Sequence, residues 1–433
     1  MNKLTVLDNG TRVATEQIPE FRSCSVGAWL STGSRDEPEE LAGQAHFLEH
    51  LLFKGTATRS AYDIAREMDC VGGQLNAFTS KEQTCYHARV LGDHVPIVLD
   101  ILSDMLQNSV FDPAEFEKER SVISEELKMF EDSPGDLAGQ RFTRSHWPGH
   151  PLGRPIIGYQ DSIDSLTVED IKRYQKERYG SSNLMICAAG QVEHESFVEL
   201  VRSHFENYPK GEFQARHDAP PPTGKNLVFE KDCEQAYISY GGLGTHVTEE
   251  RRYSFLVLDA VLGGSMSSRL FQEIRERRGL CYSVGTYQQS YTETGLFALH
   301  AGTSVESVEE TLNLMDSILR DLMKSGLTDE ELQRSKELLG RNLLLGMEST
   351  SLRMHRLAHS HLNHGRLIPV EELLTAVNET CHADIMELAS EYLNPDAFHF
   401  TVLGALDSVR GVSAQKVCAK DLKSRSLCEE VMS

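Results

Sequence analysis

Apolar positions along this chain switch repeatedly between a period of two and a period near 3.6, the pattern of an α+β protein. Gln235-Ala236-Tyr237-Ile238-Ser239-Tyr240 and Gly295-Leu296-Phe297-Ala298-Leu299-His300 alternate, so both read as antiparallel strands with one covered face. Ala45–Phe53 reads as a short helix whose apolar residues are Phe47, Leu48, Leu51 and Leu52. A longer helix is specified over Asp112–Phe130. Asp112 can cap it, Pro113 suits its first turn, Glu115 completes a capping box, and Ser133-Pro134-Gly135 stops it. On the helical wheel Phe116, Ile123, Leu127 and Phe130 fall within about 40°, which defines its buried stripe.

The same order of elements can be traced twice. A strand pair leads to a helix, then to another strand pair, a pair of helices and a closing strand. Phe111–Phe116 corresponds to Leu327–Leu332 at an offset of 216 residues, and the closing strands Leu184–Gly190 and Phe398–Gly404 correspond likewise. Between the halves, Pro209-Lys210-Gly211-Glu212 and Asp218–Gly224 have the composition of a linker. The expected organisation is residues 1–215, a linker at 216–226, residues 227–407 and a polar tail at 408–433. Helices on one face of an antiparallel or mixed sheet would make each half an α/β roll. Adding 216 to His46 reaches Leu262, in a helix-like run without histidine that ends at Gly263-Gly264, so the second half repeats the scaffold and not the chemistry.

That chemistry starts at His46-Phe47-Leu48-Glu49-His50. At about 1.5 Å and 100° per residue, His50 lies roughly 6 Å above His46 and about 40° round from it, so one small metal ion can bridge them. Glu49 falls to the other side, close enough to reach a water on the metal without binding it. Two neutral imidazoles and a carboxylate base suit zinc-assisted peptide hydrolysis, and the order is the reverse of H-E-x-x-H. Two imidazoles among Phe47, Leu48, Leu51 and Leu52 would cost several kcal/mol if nothing paired with them. The long helix offers a third ligand. Glu119 and Glu126 sit together to one side of its buried stripe, whereas Glu125 points to solvent, which selects Glu126, or else Glu119.

In the second half, a helix over Ser268–Arg278 ends at Gly279, and Tyr282 starts the next strand. The helix carries a cluster of arginines, and a guanidinium together with the Tyr282 hydroxyl can donate to a carbonyl that becomes an oxyanion. The plainer alternative is an arginine-rich helix C-terminus followed by a core tyrosine.

A chain of 433 residues exceeds what one core usually holds, and 40% apolar with 25% charged residues describes an ordinary globular protein. No stretch approaches 18 consecutive apolar residues, so no membrane span is expected. Met1–Leu7 enters directly into strand-like sequence without a leader pattern, so the expectation is either a chain that stays in the cytoplasm where it is made or one whose targeting segment precedes this sequence. Nine cysteines without CxxC spacing imply free thiols in a reducing compartment. A net charge of −22 argues against nucleic acid, and it reads either as a solvated acidic surface or as a negative interior that gathers basic peptides.

The runs GQAHFLEHLLFKGT, GGQLNAFTSKEQTCYHARV and EKERSVISEELKMFEDSP resemble the pitrilysin/insulinase class of zinc metallopeptidases, in its short mitochondrial-processing-peptidase-like branch, in a bacterial form. The likeness spans about Leu4 to Leu406. It implies one zinc ion per chain held by His46, His50 and Glu126, Glu49 as general base, and Glu119 as a supporting acid behind the ligands. It also implies Arg275 and Tyr282 as the family's Arg/Tyr pair, although Cys281 stands where a small residue is usual. A substrate would add as a further strand beside Asn76, Ala77 and Phe78. Two rolls facing each other as a clamshell around a central chamber would admit short or unfolded peptides. Such a chain is expected to work as a homodimer or beside a related subunit. The alternative is a non-catalytic partner or assembly subunit of the same fold.

Overall fold

The computed structural model describes residues 2–211 and 224–405, so most of the expected linker 216–226 and the whole tail 408–433 lie outside the described residues. Two compact α+β units are present. Unit 1 holds residues 2–128, 154–211 and Leu344–Ile368, and unit 2 holds Met129–Gly153, 224–343 and 369–405.

The sheet of unit 1 contains β1 (Asn2–Val6), β2 (Arg12–Gln17), β3 (Ser23–Leu30), β4 (Gln74–Thr79), β5 (Thr84–Leu91) and β6 (Leu184–Gly190). Their order is β1-β2-β6-β3-β5-β4, with β2 and β6 parallel and the other neighbours antiparallel. Unit 2 contains β7 (Leu227–Glu230), β8 (Ala236–Gly244), β9 (Cys281–Ser290), β10 (Gly295–Thr303) and β11 (His399–Gly404). Their order, β7-β11-β8-β10-β9, repeats that of unit 1 without β1, again with one parallel pair. The two alternating runs read from the sequence are β8 and β10, paired so that Tyr240 faces Leu299.

The first half supplies helices α1 (Gln44–Leu52), α2 (Ala61–Cys70), α3 (Val95–Asn108), α4 (Pro113–Glu131), α5 (Pro134–His146), α6 (Gln160–Ser165), α7 (Val168–Arg178) and α8 (His194–Phe205). The second supplies α9 (Arg252–Leu262), α10 (Val308–Ser325), α11 (Asp329–Gly346), α12 (Thr350–His364), α13 (Val370–Glu379) and α14 (His382–Tyr392), with a π-helical turn over Phe271–Arg277. The offset of 216 holds for α4 and α11, and it holds for α5 and α12. Leu262 is the buried last residue of α9, a helix without histidine. No helix among the described residues is long and apolar enough to cross a membrane.

In unit 1, α1, α3 and α8 cover one face of the sheet, packing on Val13, Val26, Ala28, Ala88, Ile186 and their neighbours. The opposite face is equally apolar. Ala14, Trp29, Cys85, Met185 and Cys187 line it, and Met354, Leu357 and Ala358 of α12 pack against them. The close fit needs Gly27, where a Cβ would lie 2.7 Å from Met354 Sδ. In unit 2 the equivalent face receives α5, with Leu137 and Ala138 against Leu403 and Phe142 in the cluster of Leu296 and Ala298.

The sequential division at the chain midpoint is therefore modified by a reciprocal exchange. Each sheet is completed by one helix from the other half of the sequence. The cause is two-sided burial. β6 is buried at every position, so its sheet needs a cover on both faces. Replacing Leu357 by alanine should destabilise unit 1 by about 2–5 kcal/mol, the usual cost of emptying a packed site. Trp29 fluorescence during denaturant unfolding, in a Trp147→Phe background, reports unit 1 alone. An unchanged curve would show that α12 is not needed to hold this sheet.

Candidate active site

Helix α1 presents Phe47, Leu48, Leu51 and Leu52 to the core of unit 1 and turns His46, Glu49 and His50 to its half-buried side. Phe47 stacks on Phe116 with ring centres 4.6 Å apart, which lays α4 alongside α1. The His46 and His50 rings are 4.7 Å apart. From α4, Glu126 brings one oxygen to 3.8 Å from His46 Nε2 and the other to 3.6 Å from His50 Nε2. One ligand atom from each of the three lies within 4.8 Å of the others, the one such group of metal-binding side chains among the described residues.

The donor set fits zinc. Separations of 3.6 and 3.8 Å are too long for hydrogen bonds. They approach the ~3.3 Å between ligands on a tetrahedral ion with bonds of about 2.0–2.1 Å. Burial, followed by the neighbouring His50, pushes His46 down to about 4, so its imidazole is neutral at pH 7 with a lone pair to give. His50 Nδ1 lies 3.2 Å from Glu119 Oε2. A proton held there leaves Nε2 free on the side facing Glu126. Glu119 is itself buried, and its other oxygen takes Lys54 Nζ at 2.7 Å. Glu125 is exposed and pairs with Lys128.

Glu49 stands outside the three-ligand group. Its carboxylate accepts the Thr79 hydroxyl at 2.6 Å. Burial raises its pKa, opposed by that hydrogen bond and by His50. Thr79 and Lys54 were not singled out in the sequence. Lys54 lies just beyond the end of α1, in the turn that follows Phe53.

Thr79 ends β4, the terminal strand of its sheet, whose outer edge has no strand partner among the described residues. Asn76 Oδ1 accepts the Ala77 N–H at 2.8 Å, so this N–H is directed away from β5. Leu75 and Ala77 pack toward the core beneath α1. Phe78 sits one residue before Thr79 on this strand. Strand alternation turns it to the other face, 5.5 Å from the Trp29 ring and 5.7 Å from His355 of α12.

Within unit 2 the structure brings Arg275 and Tyr282 together. The guanidinium lies over the Tyr282 ring at 4.7 Å and over Phe271 at 4.6 Å. Tyr282 is 77% exposed, so it can reach a ligand. Cys281 is buried and pushed up to about 11, chiefly by that burial, which keeps it a protonated thiol.

Known proteins resemble this chain along most of its length. Residues 12–160 match the insulinase (peptidase family M16) domain, and residues 165–339 match the domain described as peptidase M16 inactive domain. A Bacillus subtilis protein named an uncharacterized zinc protease is 38% identical over 396 residues, 92% of this chain and 97% of the relative. A similarly named Streptomyces coelicolor protein is 39% identical over 397 residues, 90% of this chain and 86% of the relative. A Pseudomonas fluorescens structure described as a peptidase M16 inactive domain has a TM-score of 0.88 at 20% identity, covering 93% of this chain and 98% of its own. A Helicobacter pylori protease gives 0.85 at 23%, covering 93% and 99%. With a matching domain pair across most of its length and relatives close to 40% identical, the chain belongs to the insulinase (M16) family of peptidases.

Proposed function

We propose that this chain is a zinc-dependent endopeptidase of the processing-peptidase-like kind, which cleaves short or unfolded peptides rich in basic residues. The observation that carries this reading is the convergence of His46, His50 and Glu126 beside a Glu49 carboxylate held by Thr79. His46, His50 and Glu126 would hold the zinc, which when bound would supply Lewis acidity to water and to the scissile carbonyl.

Glu49 acts as general base. It takes a proton from the attacking water and delivers it to the leaving amine nitrogen. The upward shift that burial gives the Glu49 carboxyl suits a group that must both accept and return a proton. Glu119 orients His50 through Nδ1 and in turn is held by Lys54. Substrate joins β4 along its free edge, where the Asn76 side chain must release the Ala77 N–H to the incoming chain. The net charge of −22 supports a preference for basic peptides. Arg275 and Tyr282 are assigned as donors to the developing oxyanion. All three ligand positions are filled, which disfavours a non-catalytic subunit. Free thiols at Cys24, Cys70, Cys85, Cys187, Cys233, Cys281 and Cys381 support a cytoplasmic location.

The purified protein should contain one zinc ion per chain and lose peptide cleavage with a chelator. Glu49→Gln should abolish turnover and keep the metal, and loss of zinc from that variant would make Glu49 a ligand. Among the three acids of α4, Glu126→Gln should weaken zinc binding most. Glu119→Gln should weaken it by about 10-fold or more as an outer partner, and Glu125→Gln not at all. A Glu125 variant that loses metal would reverse the assigned register. Tyr282→Phe and Arg275→Ala should each lower kcat by about 10²–10³ with zinc content intact, and normal rates would remove them from the chemistry.

A further inference from the structure

The N-terminus of α1 carries no side-chain cap of its own. Its first flanking residue, Gly43, has φ +97°, and a Cβ there would lie 2.6 Å from the Ile157 carbonyl oxygen. A serine or aspartate is therefore excluded from the position that usually caps a helix. The task falls to a residue six positions upstream. Glu37 is only 4% exposed, and its two carboxylate oxygens accept the Gly43 N–H at 2.9 Å and the Ala45 N–H at 2.7 Å. Negative charge at a helix N-terminus is favoured, and two orphan donors are satisfied at once.

Glu37 is also tied to the hairpin between β4 and β5. Ser34 N–H donates to the Ser80 carbonyl at 3.0 Å, and Arg35 N–H to that of Lys81 at 2.8 Å. The Arg154 guanidinium donates to the Glu37 carbonyl at 3.0 Å, and buried Lys81 donates its ammonium to the Arg154 carbonyl. Burial pushes Glu37 up to about 8, countered by the two N–H donors and by the charges of Arg154 and Lys81. The segment Ser34–Glu37 thus grips the hairpin at one end and α1 at the other. Two residues before Lys81, Thr79 holds Glu49 of the same helix.

We propose that Glu37 is a positioning residue for the metal centre, locking α1 to the β4–β5 hairpin so that the imidazole pair and the substrate edge keep one register. It touches neither metal nor substrate and acts through the backbone of α1. The inference rests on reading His46, His50 and Glu126 as the zinc centre.

The test compares wild type with Glu37→Gln, which exchanges one acceptor for an amide, and with Lys81→Met, which removes the hairpin charge. Zinc affinity is measured by competition with a chromophoric chelator. The kcat and KM values are measured at saturating zinc on an unstructured basic peptide. Glu37→Gln should lower zinc affinity by about 10–100-fold and lower kcat even when saturated with zinc, with KM little changed. Lys81→Met should shift both in the same direction by less, and exposed Glu40→Gln should shift neither. A Glu37→Gln protein that melts earlier but binds zinc and turns over normally would make Glu37 a merely structural residue and overturn the proposal. If Glu37→Gln fails to fold, unchanged zinc affinity in Lys81→Met overturns it, and a decrease supports it. A wild type that binds zinc yet cleaves nothing would defeat the peptidase reading, while the affinity comparison would still decide the role of Glu37.

Discussion

Phe47 and Phe116 lie face to face in the core of unit 1, joining the two helices that carry the metal centre. Through that contact α1 brings His46 and His50, and α4 brings Glu126, whose oxygens reach 3.8 and 3.6 Å from the two imidazoles. Two turns earlier on the same side of α4, Glu119 meets His50 from behind. An apolar contact thus joins the helices that carry both a ligand and its support, beside histidines that are themselves largely buried, so the site is preorganised.

The sheet beneath α1 adds a second constraint. Because β6 is apolar on both faces, unit 1 cannot be completed by the first half of the sequence alone, and α12 closes it from residues 350–364. Unit 2 solves the same problem with α5. The chain's duplication is therefore more than a repeat of two independent rolls. Its equivalent helices are exchanged, and the stability of the ligand-bearing unit depends on residues far along the chain.

Much of the site was legible because it sits on helices. Periodicity placed Glu126 and Glu119 on one side of α4 and Glu125 on the other, and the structure has them there. The two strands read from alternation are neighbours in unit 2. What stayed hidden was non-local. An amphipathic helix such as α12 does not say which sheet it will cover. Phe78 stood in a correctly expected edge strand, but its face follows from the pairing register with β5, which the sequence did not specify. Glu37 was one acid among several in Asp36-Glu37-Pro38-Glu39-Glu40, and only its burial beneath α1 distinguishes it. Thr79 becomes informative only once β4 is laid beside α1.

The central claim is that two imidazoles and one carboxylate of this chain hold a zinc ion while a second carboxylate beside them stays free. X-ray absorption at the zinc edge of the purified protein measures this most directly. The account predicts a first shell of nitrogen and oxygen only, with the scattering signature of two imidazoles. The spectrum should keep that signature in Glu49→Gln and lose it in Glu126→Gln. A sulfur neighbour, a third imidazole, or a shell that collapses on changing Glu49 and not Glu126 would contradict it.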